Sequence, residues 1–184
     1  PHQTGVRGNR PFMGEGVDHR QLRRNKKLWP LAQEQSKAMT VTLANAPSMV
    51  RQLQDNGYAT LQTGKWWEGD PRDHGFDEGC GHQIGRKTME PIYNFVDKAQ
   101  KNAQPFFIWY AVFLPHTPHN APDRHYLKYK DQAPNESTAR YWANIAWLDE
   151  TCGQLVDFLK EKNLYENTLF VFTADNGWRP DPNQ

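Results

Sequence analysis

The chain has 184 residues, a formal net charge of +1, and 7 Trp, 7 Tyr and 9 Phe residues. This length allows one domain with a substantial core, and the aromatic content excludes a disordered tail. The nearly balanced charge argues against a nucleic-acid partner, and no apolar stretch is long enough for a membrane span. One basic cluster is typical of a solvated face: Arg20, Arg23, Arg24, Lys26 and Lys27.

The two ends of the chain are unusual. Residues 1–9 contain neither an initiator Met nor the layout of a signal peptide, and residues 178–184 form a Pro-rich stretch instead of a capped element. We therefore expect both ends to lie within a longer parent protein.

Helical and extended patterns alternate along the chain. A helix is predicted over 46–56, followed by a strand over 58–63 that leads to Lys65. A second helix is predicted over 90–102, and a strand with apolar residues on both faces over 105–113. His116 and His119 come directly after that second strand.

The third helix has the clearest apolar periodicity. Ser137 or Thr138 can cap its start, and Asn163 marks its end. Its apolar face is predicted from Tyr141, Ile145, Leu148, Cys152, Leu155, Val156 and Leu159. An apolar strand over 168–173 then stops at the pair Asp175-Asn176.

Alternating helices and doubly apolar strands predict an α/β fold with a mostly parallel sheet. The carboxyl ends of parallel strands meet at one edge, where such proteins bind ligands. We therefore expect Lys65, His116, Asp175 and Asn176 to lie on one rim. Taken alone, Asn176-Gly177 also fits a simple turn, but three strands that all end in polar side chains favour a site.

These residues suit a tetrahedral anion. Asp175 and Asn176 offer hard oxygen ligands for Ca²⁺ or Mg²⁺, Lys65 adds a positive charge, and His116 can donate to an oxyanion or move a proton. Sulfate and phosphate both fit this chemistry, and no P-loop is present. No nucleophile stands out on the rim.

The two cysteines do not fill that gap. Cys80 lies in a glycine-rich stretch that predicts a flexible loop, and Cys152 falls on the apolar face of the third helix. This pair predicts neither a disulfide framework nor a metal knuckle.

The chain resembles the sulfatase family of the alkaline-phosphatase superfamily. The resemblance rests on segments in the family's order: residues 1–9, GYATLQTGKW at 57–66, GFD at 75–77, PFF at 105–107 with PHTP at 115–118, and NTL at 167–169 through DNG at 175–177. It implies an alkaline-phosphatase-like α/β fold, incomplete at both ends. Residues 1–184 would form one partial catalytic domain that lacks the nucleophile-bearing N-terminal part and the C-terminal part.

The resemblance implies a sulfuric ester hydrolase that acts on a small-molecule or saccharide sulfate ester. It also implies Ca²⁺, with Mg²⁺ as the alternative, a formylglycine nucleophile in the parent protein but not in this chain, and a periplasmic or secreted location. We accordingly expect the 184-residue chain alone to be inactive.

Residue roles follow from the matched motifs. Asp175 and Asn176 would bind the metal, while Lys65 and His116 would bind the sulfate oxygens, and one of these two would help to protonate the leaving alkoxide. Many relatives have a histidine where this chain has Trp67, and His119 is a candidate substitute for that imidazole.

Two other functions remain open at this stage. A phosphodiester or phosphonate monoester hydrolase of the same superfamily would use the same residues. A non-catalytic, truncated relative would only bind an anion.

Overall fold

A computed structural model of the chain describes residues 24–66, 69–81 and 83–174, except for the side chains of Gln35 and Met39. The chain divides into two compact units. The first comprises Pro1–Cys80 and Val96–Ala111, and the second comprises Gly81–Phe95 and Val112–Gln184. Helix α3 (Glu90–Lys101) therefore contributes its first half to the second unit and its second half to the first.

The first unit contains a parallel sheet of three strands in the order β2-β1-β3. The strands are β1 (Ala59–Gly64), β2 (Glu78–Cys80) and β3 (Phe106–Ala111). In β1 every residue after Ala59 is buried, because this strand has a neighbour on each side. The predicted parallel direction of the strands near 58–63 and 105–113 is confirmed.

The prediction that strand 105–113 is buried on both faces is wrong. Five of the six β3 residues are only half-buried, and Trp109 is 45% exposed. Among the described strands, β3 pairs with β1 alone and forms an edge of the sheet. An edge strand leaves part of its surface uncovered, so its apolar sequence does not give full burial.

Two helices precede the sheet, namely α1 (Leu28–Ala44) and α2 (Met49–Asp55). The Ser48 hydroxyl caps α2 by accepting a hydrogen bond from the Arg51 N–H at 3.2 Å. The predicted helix over 46–56 is confirmed, with a later start. Helix α1 was not predicted from the sequence, because its apolar residues are not concentrated on one face of the helix.

Two hydrogen bonds between Asp77 and Thr60 hold the GFD segment against β1. The Thr60 N–H donates to the Asp77 carboxylate at 2.8 Å, and the Asp77 N–H donates to the Thr60 hydroxyl at 2.9 Å. Gly75 has φ +98°, and a Cβ at this position would lie 2.7 Å from Cγ of Arg51. A left-handed backbone and this close approach both require glycine. The GFD segment thus closes the turn that brings the chain back to β2.

The second unit contains α4 (Asp123–Tyr129) and α5 (Glu136–Glu161). The predicted third helix is confirmed, but its cap is not Ser137 or Thr138. The Asn135 side chain accepts from the Thr138 N–H at 2.8 Å, because Asn135 has the extended backbone of a capping residue.

The predicted apolar face of α5 is also partly wrong. Leu159 is buried as expected, but Ile145 is 41% exposed. The other buried positions carry small or polar side chains: Thr138, Ala139, Ala143, Asn144 and Thr151. Periodicity of large apolar residues did not identify this face, because hydrogen bonds from Asn144 to a neighbouring loop help to determine which residues are buried.

The predicted strand over 168–173 is wrong. This segment follows a short 3₁₀ turn (Tyr165–Asn167) and has no ladder partner among the described residues. Leu169, Val171 and Phe172 are 80–88% exposed. Consecutive apolar residues indicate a buried strand only where neighbouring strands accept its backbone hydrogen bonds, and this part of the chain has none.

Two smaller predictions are also resolved. Within the basic cluster, Arg24, Lys26 and Lys27 are exposed as expected, while Arg20 and Arg23 lie outside the described residues. No helix among the described residues is both long and apolar enough to cross a membrane.

Candidate active site

Lys65 lies immediately after the central strand of the first unit. Gly64, with φ +75°, ends β1, and the Lys65 N–H donates to the Ala111 carbonyl at 2.7 Å. The buried amide of Gln62 donates to the Lys65 carbonyl at 2.9 Å. These contacts fix the backbone, so the half-buried Lys65 side chain starts from a defined position at the carboxyl end of the strand.

Trp66 anchors the next step of the chain. Its ring meets the His74 ring edge-on, with centroids 5.2 Å apart, and the Phe76 ring at 5.7 Å. The indole N–H is buried and has no hydrogen-bond partner within the described part of the chain. Trp67, the next residue, lies outside the described residues.

His116 lies in the second unit, in a loop with cis peptide bonds at Leu114–Pro115 and Thr117–Pro118. Its ring is exposed, and Nδ1 lies 3.0 Å from both the hydroxyl and the carbonyl oxygen of Thr117. Both contacts use Nδ1 and leave Nε2 as the nitrogen that Thr117 does not engage.

Arg86 holds this loop from one side. Its guanidinium donates to the His116 carbonyl at 2.6 Å, to the Pro118 carbonyl at 3.2 Å and to the Asn120 side-chain oxygen at 2.7 Å. The planar fork of arginine suits such a set of converging oxygens. Arg86 was not predicted as a functional residue, because it lies in no recognisable motif.

Asn144 holds the same loop from helix α5. It is fully buried, and its amide nitrogen lies 3.2–3.4 Å from the carbonyl oxygens of Pro115, His116 and Pro118. Its side-chain oxygen accepts from the Ala121 N–H at 3.1 Å. The one available signal was a polar residue between apolar helix positions, which gave no reason to connect it with His116.

His119 lies in the same loop and is half-buried, with its ring centroid 5.5 Å from that of Tyr141. Burial lowers the pKa of His119, and the nearby charges of His116 and Arg86 lower it further. Its imidazole is therefore predominantly neutral at neutral pH. The structure brings His116 and His119 together in the second unit, whereas Lys65 belongs to the first.

The expected metal ligands, Asp175 and Asn176, lie outside the described residues. Within residues 24–66, 69–81 and 83–174, no group of three or more His, Cys, Asp or Glu could hold a metal ion. The chemistry of the Asp175 and Asn176 oxygens fits Ca²⁺, which takes about six to eight oxygen ligands. Two residues supply only part of such a set.

Neither cysteine fits a nucleophile. Cys80 ends strand β2 instead of lying in the predicted flexible loop, and it is half-buried, as is Cys152 in α5. Burial raises the pKa of both thiols, and Glu78 or Asp149 adds to the effect. Both thiols are therefore less reactive than an exposed cysteine.

A charged cluster joins α4 to α5. The Arg124 guanidinium makes two contacts with the Glu150 carboxylate, at 2.5 and 3.2 Å. Nε2 of the buried His125 lies 3.0 Å from the same carboxylate, although the alignment is not that of a hydrogen bond. Burial lowers the pKa of His125 despite the opposing effect of Glu150.

Comparison with known protein families and proteins gives one consistent result. The family model described as Sulfatase matches residues 31–184. An arylsulfatase of Klebsiella aerogenes is 25% identical in an alignment that covers 72% of this chain and 47% of that protein. The N-acetylgalactosamine-6-sulfatase of Sus scrofa is 25% identical, with 68% of this chain and 31% of that protein covered. The chain thus spans less than half the length of these relatives.

A solved structure agrees with these matches. The crystal structure of Ps i-CgsB in complex with k-i-k-neocarrahexaose superposes with a TM-score of 0.57 and 26% sequence identity. The superposition covers 67% of this chain and 38% of that one.

We predict that Asn144→Ala lowers the free energy of unfolding by about 2–4 kcal/mol, because it leaves the Ala121 N–H and the loop carbonyls without their buried partner. Urea denaturation measures the loss. Asn94→Ala, at an exposed position of α3, is the matched control and should change stability by less than about 0.5 kcal/mol. Equal losses in the two variants would contradict the role of Asn144.

We also predict that stability falls as the pH drops. The pKa of His125 is lower in the folded chain than in the unfolded one, so the unfolded chain binds more protons between these two values. The neutral, buried His125 therefore makes its full contribution to the free energy of unfolding above a pH of about 6.5, and this contribution decreases below that pH. His125→Gln should reduce this slope between about pH 7.5 and 5.5, as measured by urea denaturation, whereas Asn94→Ala should leave it unchanged. An undiminished slope in His125→Gln would refute the assignment.

Proposed function

Since the chain belongs to the sulfatase family, we propose that it contributes substrate-binding and proton-transfer residues to an enzyme that hydrolyses sulfate monoesters. Its parallel sheet flanked by helices is of the alkaline-phosphatase-like α/β class. The observation that carries the proposal is the family match over residues 31–184, which includes Lys65, His116 and His119.

Three side chains are assigned to the sulfate group. Lys65, at the end of β1, binds a sulfate oxygen through its positive charge. His116 binds a second oxygen, and either it or Lys65 supplies the proton that the leaving alkoxide needs. The neutral imidazole of His119 is a poor acid at neutral pH, so we assign it to sulfate binding through its N–H group.

We assign metal binding to Asp175 and Asn176. Their oxygens suit Ca²⁺, and also Mg²⁺, and a bound divalent ion supplies positive charge for the sulfate oxygens. Other ligands must complete the set, because a carboxylate and one amide do not fill the coordination of either ion.

The formylglycine nucleophile implied by the family resemblance does not fit the cysteines of this chain. Cys80 and Cys152 are both half-buried, and neither stands in the family's Cys-x-Pro-x-Arg context. We therefore assign no reaction step to them. We assign substrate binding and proton transfer to Lys65, His116 and His119, and we assign the attacking group to no described residue of this chain.

A sulfated saccharide is the substrate class that we favour. One relative is named as an N-acetylgalactosamine-6-sulfatase, and the superposed structure holds a neocarrahexaose. Both names concern saccharides, and we extend that class to this protein.

We predict that the complete gene product containing these residues hydrolyses 4-nitrophenyl sulfate faster than bis(4-nitrophenyl) phosphate. Lys65→Ala should lower kcat/KM for the sulfate ester by roughly a hundredfold, because it removes a positive charge that would stabilise the negative charge of the transition state. Lys101→Ala, at an exposed position of α3, is the control. The purified 184-residue chain should show no turnover. Faster phosphodiester hydrolysis, or an active 184-residue chain, would contradict this.

We further predict that Asp175→Ala in the same gene product removes most of the thermal stabilisation that Ca²⁺ gives by binding the folded state. Melting curves with and without Ca²⁺ measure it, with Asp157→Ala, an exposed position of α5, as the control. If Asp175 only closed a turn, the variant would lose about 1 kcal/mol of stability and keep the full Ca²⁺ effect.

A further inference from the structure

The second unit contains a pocket of about 380 Å³ that the proposed reaction does not use. Segments from the loop before α3, from α3 and from the start of α4 line it together with one side of α5. Its lining includes these basic, aromatic and amide side chains: Arg86, Lys87, Tyr93, Arg124, Trp147 and Gln154. Its volume falls within the range of pockets that hold small molecules.

We propose that this pocket binds an anionic sugar residue of a sulfated saccharide, next to the residue that carries the reacting ester. The proposal rests on the function proposed above and specifies its substrate. The pocket is a separate set of residues from Lys65, His116 and His119.

The charge of the pocket favours an anion. Glu150 and Arg124 both line it and neutralise each other through their paired contacts. Arg86 donates to neutral oxygens of the His116 loop, so those bonds leave its positive charge in place. Lys87 is exposed at the rim and adds a second positive charge. A sulfate or carboxylate group would therefore enter a site with excess positive charge.

The remaining lining suits a sugar better than a bare ion. The Arg86 guanidinium carbon lies over the Trp147 ring, 5.7 Å from its centroid, so the cation and the aromatic ring form one contact in the lining of the pocket. Tyr93 adds a second aromatic ring, and the Gln154 amide adds a donor and an acceptor. An inorganic anion would use only the charges, whereas a sulfated sugar would use the charges, the aromatic surface and the amide.

Arg86 connects the pocket to the loop that carries His116. It lines the pocket, and it also donates to the His116 carbonyl at 2.6 Å. A ligand in the pocket therefore lies beside the loop that presents His116. Two neighbouring sugar residues of one saccharide need binding sites that lie next to each other, and this arrangement meets that requirement.

Isothermal titration of the complete gene product with k-i-k-neocarrahexaose tests the proposal, with the desulfated hexaose as the neutral counterpart. EDTA in the buffer removes divalent ions, so that binding is recorded without turnover. Lys87→Gln should raise Kd for the sulfated hexaose by about threefold, and Lys87→Glu by about tenfold. Lys101→Gln, an equal charge change on an exposed part of α3, should leave Kd unchanged.

Three results would overturn the proposal: no binding by the unaltered protein, equal binding of the desulfated hexaose, or a Kd that Lys87→Glu does not change. Because the measurement is binding without turnover, its outcome is independent of the test of hydrolysis. A protein that hydrolyses 4-nitrophenyl sulfate but shows one of these results has the proposed function without this subsite. A protein that shows the expected Kd changes but hydrolyses no sulfate ester has the saccharide-binding pocket without the proposed hydrolase activity.

Discussion

The second unit depends on one buried amide. Asn144 projects from α5 into the loop of residues 115–121 and meets backbone groups that no helix or strand satisfies. Buried carbonyl and N–H groups without partners are costly, so an irregular loop packed against a helix needs a side chain that both donates and accepts. Asparagine does both. Arg86 adds donors from another segment, and the two side chains together fix the backbone that carries His116 and His119.

In the first unit, the irregular backbone after β1 also needs hydrogen-bond partners. There the buried Gln62 amide donates to the Lys65 carbonyl, and the Lys65 N–H donates to Ala111 of the neighbouring strand. In both units, a residue proposed to bind sulfate lies in irregular backbone: Lys65 comes directly after β1, and His116 lies in the loop of residues 115–121. In both, an amide side chain from a regular element satisfies that backbone. In each unit, a buried amide side chain therefore helps to fix the backbone that carries a residue proposed to bind sulfate.

The sequence predicted those parts of the fold that depend on local pattern. The helix predicted over 46–56 and the strand predicted over 58–63 correspond to α2 and β1. Residues whose role depends on distant partners were missed. Asn144 acts on a loop that lies 23–29 residues earlier in the chain, and Arg86 acts on residues 30–34 positions later. Periodicity and capping rules report neighbours within a few positions, so they contain no information about such contacts.

The segment over 168–173 shows where a local pattern is insufficient. Its apolar residues indicate burial on both faces, yet the described segment has no regular secondary structure and is largely exposed. Burying a side chain such as Leu169 or Phe172 is worth about 1.5–3 kcal/mol, so the pattern describes a strong tendency to pair. The pairing itself requires an adjacent strand edge, which the pattern cannot supply. The metal-ligand role proposed for Asp175 depends on that pairing, because a carboxylate is positioned only as firmly as the backbone that precedes it. The proposed metal site and the pairing of this segment are therefore linked, since a ligand binds an ion firmly only where its own backbone is fixed.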